Sequence, residues 1–178
     1  MKKEIQEILQ DKSFLLTEAY FKIQELAEAK YGKDTIVFME IGTFFEVYEV
    51  NNEDEQLGKA KEIAELLNIQ LTRKNKNIIE NNRKNPLMAG VPSVSFEKHL
   101  NRVLQKEKYT VIIIKQIGLP PKVKRVVESI ISPGVNFDYV VSSDENYTTS
   151  IVIDRVNDNY LIGFYFVTTF QVVMHTKG

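Results

Sequence analysis

The stretch Thr35–Val50, TIVFMEIGTFFEVYEV, decides how this chain folds. Branched and aromatic residues fill Thr35–Ile41, which predicts a strand. Gly42 and Thr43 interrupt that strand, because a glycine inside a strand pattern indicates a local break. Phe44–Val50 then resumes it with an alternating pattern. The chain around these segments is expected to supply the rest of a sheet and the helices that cover it.

Alternation along the second segment singles out two residues. In an extended chain, successive side chains point to opposite faces, so Phe44, Glu46 and Tyr48 share one face and Phe45 and Val47 take the other. One face can fill the core, and the other then presents an aromatic ring and a carboxylate beside the glycine. The alternative is that both phenylalanines are core residues and Glu46 is a solvated strand residue.

An exposed aromatic with a neighbouring acid has a physical use in DNA recognition. A phenyl ring can enter between base steps and stack on a base, at an unstacking cost that is lowest where the pair is already mispaired. A carboxylate can accept a hydrogen bond from an exposed base edge, and it repels phosphates of a badly placed duplex. Phe44 and Glu46 are therefore the candidate base-contacting residues.

Working outward, apolar residues at three- and four-residue spacing predict helices on both sides of this stretch. One helix covers Thr17–Lys30 and stops at Gly32. A second is expected to start at Asn52, with Glu55 as its capping partner, and to continue to Leu67. A helix at Phe96–Leu104 is capped by Ser93 or Ser95. Further strands are predicted at Ile69–Arg73, Pro86–Pro92, Tyr109–Ile114 and Val126–Ile131, with an exposed loop at Asn75–Asn85. This order predicts an α/β (α+β) fold with a mixed β-sheet flanked by helices.

Charge and composition narrow the function classes. Basic and acidic residues nearly cancel, 23 against 24, so any DNA contact requires positive charge gathered locally. The chain contains no cysteine, which excludes disulfides, thiolate metal sites and cysteine nucleophiles. No signal peptide or membrane span is visible, so a soluble cytoplasmic protein is expected. Positive charge gathers in two places, and the residues expected to contact the DNA backbone are Arg73, Lys74, Lys76, Arg83, Lys84 and Lys115. The alternative is that these are ordinary solvated loops.

Catalytic patterns are missing from the sequence. The only histidines are His99 and His175, and each is expected to be a packing or surface residue. No phosphate-binding loop of the Walker type and no carboxylate pair with metal-site spacing occurs. Asp154 resembles a nuclease acid but has no evident partner. We therefore predict no catalytic residues, no metal and no cofactor within this chain.

The ordered motifs of this chain resemble the MutS family of DNA mismatch-repair proteins. Gly42-Thr43-Phe44-Phe45-Glu46 is similar to the family's Gly-x-Phe-Tyr/Phe-Glu motif, and LLNIQLTRK (66–74), PLMAGVP (86–92), IIKQIG (113–118) and ISPG (131–134) match family segments in the same order. The resemblance implies that Phe44 stacks on the mispaired base and that Glu46 hydrogen-bonds it. It implies a partner, double-stranded DNA with mismatches or small loops. For the full-length protein it implies an ATPase that uses ATP and Mg²⁺ and works as a homodimer, whereas this chain is expected to be a monomer without enzymatic activity.

The resemblance also divides the chain. Residues 1–12 are expected to be an N-terminal extension, 13–135 the mismatch-recognition domain and 136–147 a linker. Residues 148–178 are expected to be the truncated beginning of a connector domain with an RNase H-like fold. Two other function classes stay open: a divergent MutS-like module that binds branched DNA or partner proteins without mismatch preference, and a small nuclease that uses Asp154.

Overall fold

The computed structural model describes residues 1–118, 122–133, 148–156, 159–168 and 171–176. The chain divides into two compact units, Met1–Pro133 and Gly134–Gly178. The first unit carries the predicted base-contacting pair. No helix in the described ranges is long and apolar enough to cross a membrane.

A mixed sheet of seven strands forms the centre of the first unit. Its strands are β1 Thr35–Ile41, β2 Phe44–Asn51, β3 Gln56–Gly58, β4 Thr72–Arg73, β5 Leu87–Pro92, β6 Thr110–Ile117 and β7 Lys124–Ile131. The order across the sheet is β4-β5-β2-β1-β6-β7, and β3 pairs with the C-terminal end of β2. The one parallel pair is β1 with β6, and the remaining pairs are antiparallel. The predicted mixed sheet flanked by helices is confirmed.

Four helices cover the two faces of this sheet: α1 Lys2–Gln10, α2 Leu16–Tyr31, α3 Ala60–Leu67 and α4 Phe96–Leu104. The helices α1 and α2 pack on the face that carries Val37, Met39 and Tyr48, where Ile5 and Phe21 are completely buried. The opposite face carries Phe45, which packs against Phe96 of α4. The strand β6, between β1 and β7, is buried on both faces over Thr110–Ile114, as its continuous apolar run predicted.

The prediction of a helix starting at Asn52 is wrong, because α3 begins only at Ala60. The Asn52 side-chain oxygen accepts hydrogen bonds from the backbone N–H groups of Asp54 and Glu55 at 2.9 and 2.8 Å. The backbone N–H of Asn52 donates to the Glu55 carbonyl. These bonds close a turn that leads into β3, since an asparagine side chain serves turns as well as helix caps. The apolar stripe from Ala60 to Leu67 is buried as predicted.

Other boundaries differ less. The predicted strand Ile69–Arg73 is reduced to the two residues of β4. The predicted caps Ser93 and Ser95 make no side-chain capping bond, since a 3₁₀ turn over Ser93–Ser95 precedes α4. Residues 1–12, the predicted extension, contain α1, whose Ile5 is buried in the core of the first unit.

In the second unit, the described residues form an antiparallel sheet of three strands in the order β10-β9-β8. The strands are β8 Thr148–Val156, β9 Asn159–Thr168 and β10 Gln171–Thr176. The predicted linker 136–147 lies outside the described residues, and the RNase H-like connector stays a prediction.

Candidate nucleic-acid interface

The turn between β1 and β2 places Phe44 at one end of the sheet. Ile41 pairs with Phe44, so Gly42 and Thr43 alone make the connection. Gly42 has a φ of 62°, and a glycine at the first of the two central positions is what a type II′ hairpin turn requires. The interruption seen in the sequence is thus a tight hairpin. Phe44, which follows this turn, therefore lies in a strand and not in a flexible loop.

The two adjacent phenylalanines have opposite environments. Phe45 is 2% exposed, and its ring stacks on Phe96 with centroids 3.7 Å apart and an interplanar angle of 14°. Phe44 is 44% exposed, although it is a large apolar residue in a strand. The alternative in which both rings fill the core is therefore wrong. Phe44 is available for contact with a partner.

Glu46 lies beside Phe44 on the same face and is half-buried. The hydroxyl of Tyr48, two residues further along β2, donates a hydrogen bond to its Oε2 atom. Gly90 of β5 pairs with Glu46, and the side chains of Glu46 and Phe44 fill the space where a Cβ atom of residue 90 would lie. Such an atom would be 3.3 Å from Glu46 Cγ and 3.8 Å from Phe44 Cδ1. A glycine at this position lets the ring and the carboxylate occupy the same patch of surface.

Neighbouring segments fix the hairpin turn from both sides. The Thr43 carbonyl accepts a hydrogen bond from Ser93 N at 2.8 Å, and Gly42 N donates to Gln116 Oε1 at 3.3 Å. The carboxylate of Glu40 joins the same two neighbours, since it accepts from Ser93 Oγ at 3.1 Å and from Gln116 N at 2.8 Å. The turn is thus held in place by the 3₁₀ turn after β5 and by β6.

Two further apolar residues lie at this end of the sheet and were not predicted from the sequence. Val94, in the 3₁₀ turn after β5, is 99% exposed, and Ile117, at the end of β6, is 45% exposed. Their segments are those that hold the hairpin turn. Neither residue was conspicuous in the sequence, because single exposed apolar residues carry no periodic signal. Phe44, Val94 and Ile117 will be called the apolar tip.

Five of the six predicted backbone-contacting residues lie away from this tip, and the exception is Lys115, two residues before Ile117 in β6. Arg73 pairs with Leu87, whereas Phe44 pairs with Pro92, five residues further along β5. At ~3.4 Å per residue this separates them by about 17 Å along the sheet. The loop that follows Arg73 and carries Lys74, Lys76, Arg83 and Lys84 therefore leaves from the opposite end of the sheet. Asn85 orders this loop by donating to the carbonyls of Ile78 and Glu80.

Two of the predicted basic residues are already paired with carboxylates. Arg83 Nε donates to both oxygens of Glu55, at 2.9 and 3.1 Å, and its Nη2 donates to Glu25 and Glu55. These hydrogen bonds raise the pKa of Arg83 above its ordinary value. Lys115 Nζ lies 2.5 Å from Glu128 Oε1, and this bond raises the pKa of Lys115. Both side chains have structural partners in addition to any phosphate.

Two ionisable groups outside the apolar tip, Glu62 and His99, have pKa values shifted by their surroundings. Glu62 of α3 is partly buried, which would by itself raise its pKa, but hydrogen bonds from Tyr109, Lys59 and Lys108 lower the pKa to about 2. Burial lowers the pKa of His99, whose Nδ1 is buried without a hydrogen-bond partner in the described structure. Asp154 lies in β8, and His175 lies in β10. Among the described residues, no group of three or more His, Cys, Asp or Glu side chains is placed to hold a metal ion.

Known proteins resemble this chain over most of its length. Residues 20–140 match the family model described as MutS domain I. The DNA mismatch repair protein MutS of Macrococcus caseolyticus is 38% identical over 133 residues, which cover 72% of this chain and 14% of that protein. The protein of the same name from Thermotoga neapolitana is 30% identical over 165 residues, covering 90% of this chain and 18% of that protein. This chain thus spans less than a fifth of the length of these relatives.

Proposed function

This chain belongs to the MutS family of DNA mismatch-repair proteins, and we propose that it recognises mismatched DNA by inserting Phe44 at the mispaired base. Glu46 then accepts a hydrogen bond from the edge of that base. One observation carries the proposal: Phe44 is 44% exposed at the end of a tight hairpin, while the adjacent Phe45 is buried. Packing accounts for Phe45 and leaves Phe44 without a structural explanation.

The energetics favour mispaired over paired sites. Opening a base step costs a few kcal/mol, and stacking a base on an aromatic ring returns about 1–3 kcal/mol. These terms are of similar size, so the balance depends on how easily the base pair opens. A mispaired base opens at a lower cost, and the duplex bends more easily there. The ring thus selects for deformability, and the acceptor on Glu46 adds a requirement for a hydrogen-bond donor on the base.

Phosphate contacts are the second part of the proposal. The loop basic residues Arg73, Lys74, Lys76 and Lys84 are suited to phosphates several base pairs away from Phe44, because the strand register separates them from the tip. Arg83 and Lys115 contribute less, since each is held by a carboxylate. Such contacts position a protein on the duplex without reading sequence and weaken steeply as salt rises.

Membership of the family also leads us to propose what this chain binds, where it acts and what it lacks. We expect this chain to bind DNA without catalysing a reaction and without a cofactor of its own. ATP, Mg²⁺ and homodimer formation are expected of the full-length protein, and this chain is expected to be a monomer. Its partner is double-stranded DNA with mismatches or small loops, and its expected location is the cytoplasm.

The test is a titration of a fluorescent duplex containing a G·T mismatch, beside its matched twin, at low salt. Phe44→Ala is the test variant, and Val94→Ala is the control, because it removes another apolar side chain from the same tip without removing a ring. We expect preference for the mismatch in the wild type and in the control, and its loss in Phe44→Ala. Preference that survives in Phe44→Ala refutes the role of the ring.

The same titration separates the other function classes. Equal binding to both duplexes, with tighter binding to a branched duplex, would favour a divergent module that recognises junctions. Metal-dependent cleavage of the labelled duplex would favour the nuclease suggested by Asp154. In the expected outcome the duplex stays intact and the mismatch is preferred.

A further inference from the structure

We propose that Tyr48 is the positioning residue of the mismatch site: its buried hydroxyl holds one oxygen of Glu46 and leaves the other for the base. This inference rests on the proposed function and adds a residue to it. The two side chains share a face of β2 because they are two residues apart in a strand. The hydroxyl of Tyr48 donates to Glu46 Oε2, and no other described residue donates a hydrogen bond to Glu46.

Tyr48 is itself buried and held by contacts with its neighbours. It is 3% exposed, and its ring meets that of Tyr20 edge to face, with centroids 4.9 Å apart. The backbone N–H of Tyr48 donates to the Tyr20 hydroxyl at 3.1 Å, and that hydroxyl donates to the carbonyl of Val37 at 2.9 Å. The hydroxyl that reaches Glu46 is therefore anchored through α2 to β1.

The ionisation of the phenol supports a fixed direction for this bond. Burial, and then the adjacent Glu46 carboxylate, raise the pKa of Tyr48 well above its ordinary value. The hydroxyl thus keeps its proton at neutral pH. A phenol that always donates commits Glu46 to the accepting role at Oε2.

The functional consequence is preorganisation. A glutamate in an exposed strand position samples several rotamers, and ordering it at the moment of binding would reduce affinity. Tyr48 orders the carboxylate before the duplex arrives. Gly90 adds to this, since the surface above it accommodates Glu46 and Phe44 together. Loss of the hydroxyl should weaken discrimination while leaving the fold and the phosphate contacts intact.

The experiment is a double-mutant cycle on the mismatch-to-match affinity ratio, measured with this chain and the G·T duplex pair. The variants are Tyr48→Phe, Glu46→Ala and both together. The matched control is Tyr109→Phe, because it removes the same atom from another tyrosine whose hydroxyl donates to a glutamate, Glu62, at 2.5 Å. A hydrogen bond to a charged group predicts a loss of about tenfold in the ratio for Tyr48→Phe.

Two results together would support the inference: Tyr48→Phe lowers the ratio with unchanged affinity for the matched duplex, and it has no further effect once Glu46 is alanine. The control should leave the ratio at its wild-type value. A ratio that Tyr48→Phe leaves unchanged, or lowers equally in the Glu46→Ala background, overturns the inference.

The Phe44→Ala variant distinguishes this failure from failure of the proposed function. If the wild type prefers the mismatch and Phe44→Ala abolishes that preference while Tyr48→Phe does not change it, only the role of Tyr48 is refuted. If the wild type has no preference, the proposed function and the inference resting on it are both refuted. The carbon chemical shift of the Glu46 carboxyl gives a reading independent of DNA, since it should change in Tyr48→Phe and not in Tyr109→Phe.

Discussion

Replacing each of the two adjacent phenylalanines by alanine should separate stability from recognition. Phe45 is 2% exposed and stacked on Phe96 at 3.7 Å, so its truncation removes a core ring and leaves a cavity. Substitutions of this kind cost about 3–5 kcal/mol. That is a large part of the ~5–15 kcal/mol that stabilises a typical domain.

Phe44 should cost much less to truncate. Its side chain is 44% exposed, so it gains only about half of the burial available to a core ring. Full burial contributes about 1.5–3 kcal/mol, which gives about 1 kcal/mol for half of it. The site opens to solvent, so no closed cavity is left behind and no cavity cost is added.

Urea unfolding followed by circular dichroism measures both values. A slope of about 1–3 kcal/mol per molar urea converts a difference of at least ~2 kcal/mol into a midpoint difference of about 1 M. The Phe45→Ala midpoint should therefore fall well below that of Phe44→Ala, while mismatch preference is lost in Phe44→Ala. Equal midpoints in the two variants would refute the assignment of Phe44 to a surface role.

Three further predictions concern glycine, charge and pH. Gly58→Ala should prevent folding or destabilise the chain severely, because a Cβ atom there would lie 2.1 Å from a carbonyl oxygen of β2. Gly42→Ala should cost only about 1–2 kcal/mol, because a Cβ atom there has nothing within 4 Å and only the positive φ is unfavourable. Thermal melts of the two variants measure this difference. Arg83→Ala should lower the melting temperature, because it removes the ion pairs with Glu25 and Glu55. Lys84→Ala should instead lower the salt dependence of DNA affinity. An unchanged salt slope in Lys84→Ala would contradict a phosphate contact. Glu62 has a folded-state pKa of about 2, below the ordinary 4.5, so its stabilising effect is complete above pH 4.5 and is lost as pH falls toward 2. Glu62→Gln should therefore make the free energy of unfolding less dependent on pH over that range. An unchanged pH profile in this variant would count against the lowered pKa.

The strand faces of the central hairpin could be predicted from sequence because strands have a fixed period of two. Alternation alone put Phe45 and Val47 on one face and Phe44, Glu46 and Tyr48 on the other, without deciding which face is core. The structure buries Phe45, Val47 and also Tyr48, and exposes Phe44. The glycine and its neighbour predicted a break, and the structure shows that the break is a hairpin. Local pattern was sufficient here because the side chains concerned are consecutive.

The wrong helix start had a different cause. Asn52 and Glu55 have the spacing of a helix cap, but the same asparagine chemistry also closes a turn. The choice between them was made by contacts distant in sequence. Asn52 Nδ2 donates to the Asn81 carbonyl at 2.7 Å, and Gly58 meets β2 at a distance that only glycine allows. Neither contact can be inferred from the residues of the segment itself.

The bond from Tyr48 to Glu46 and the separation of the basic loop from the tip also depend on distant elements. The sequence put the two side chains on one face, but the direction of the hydroxyl follows from α2, whose Tyr20 fixes the ring. Likewise, Arg73 lies far from Phe44 because of the register of β4 on β5. Neighbours in sequence predicted the residue types of the site, and long-range packing determined its geometry.

The rigidity of the tip bears on how such a site can discriminate. Hydrogen bonds from the 3₁₀ turn after β5 and from β6 hold the turn before Phe44, and the Tyr48 hydroxyl holds Glu46. A ring on a flexible loop would adapt to a paired duplex, and the cost of distortion would be shared between protein and DNA. A ring on a fixed hairpin leaves the distortion to the duplex, whose deformation energy differs between paired and mispaired sites. Under the proposed function, the rigidity of the protein therefore converts a difference in DNA stiffness into a difference in affinity.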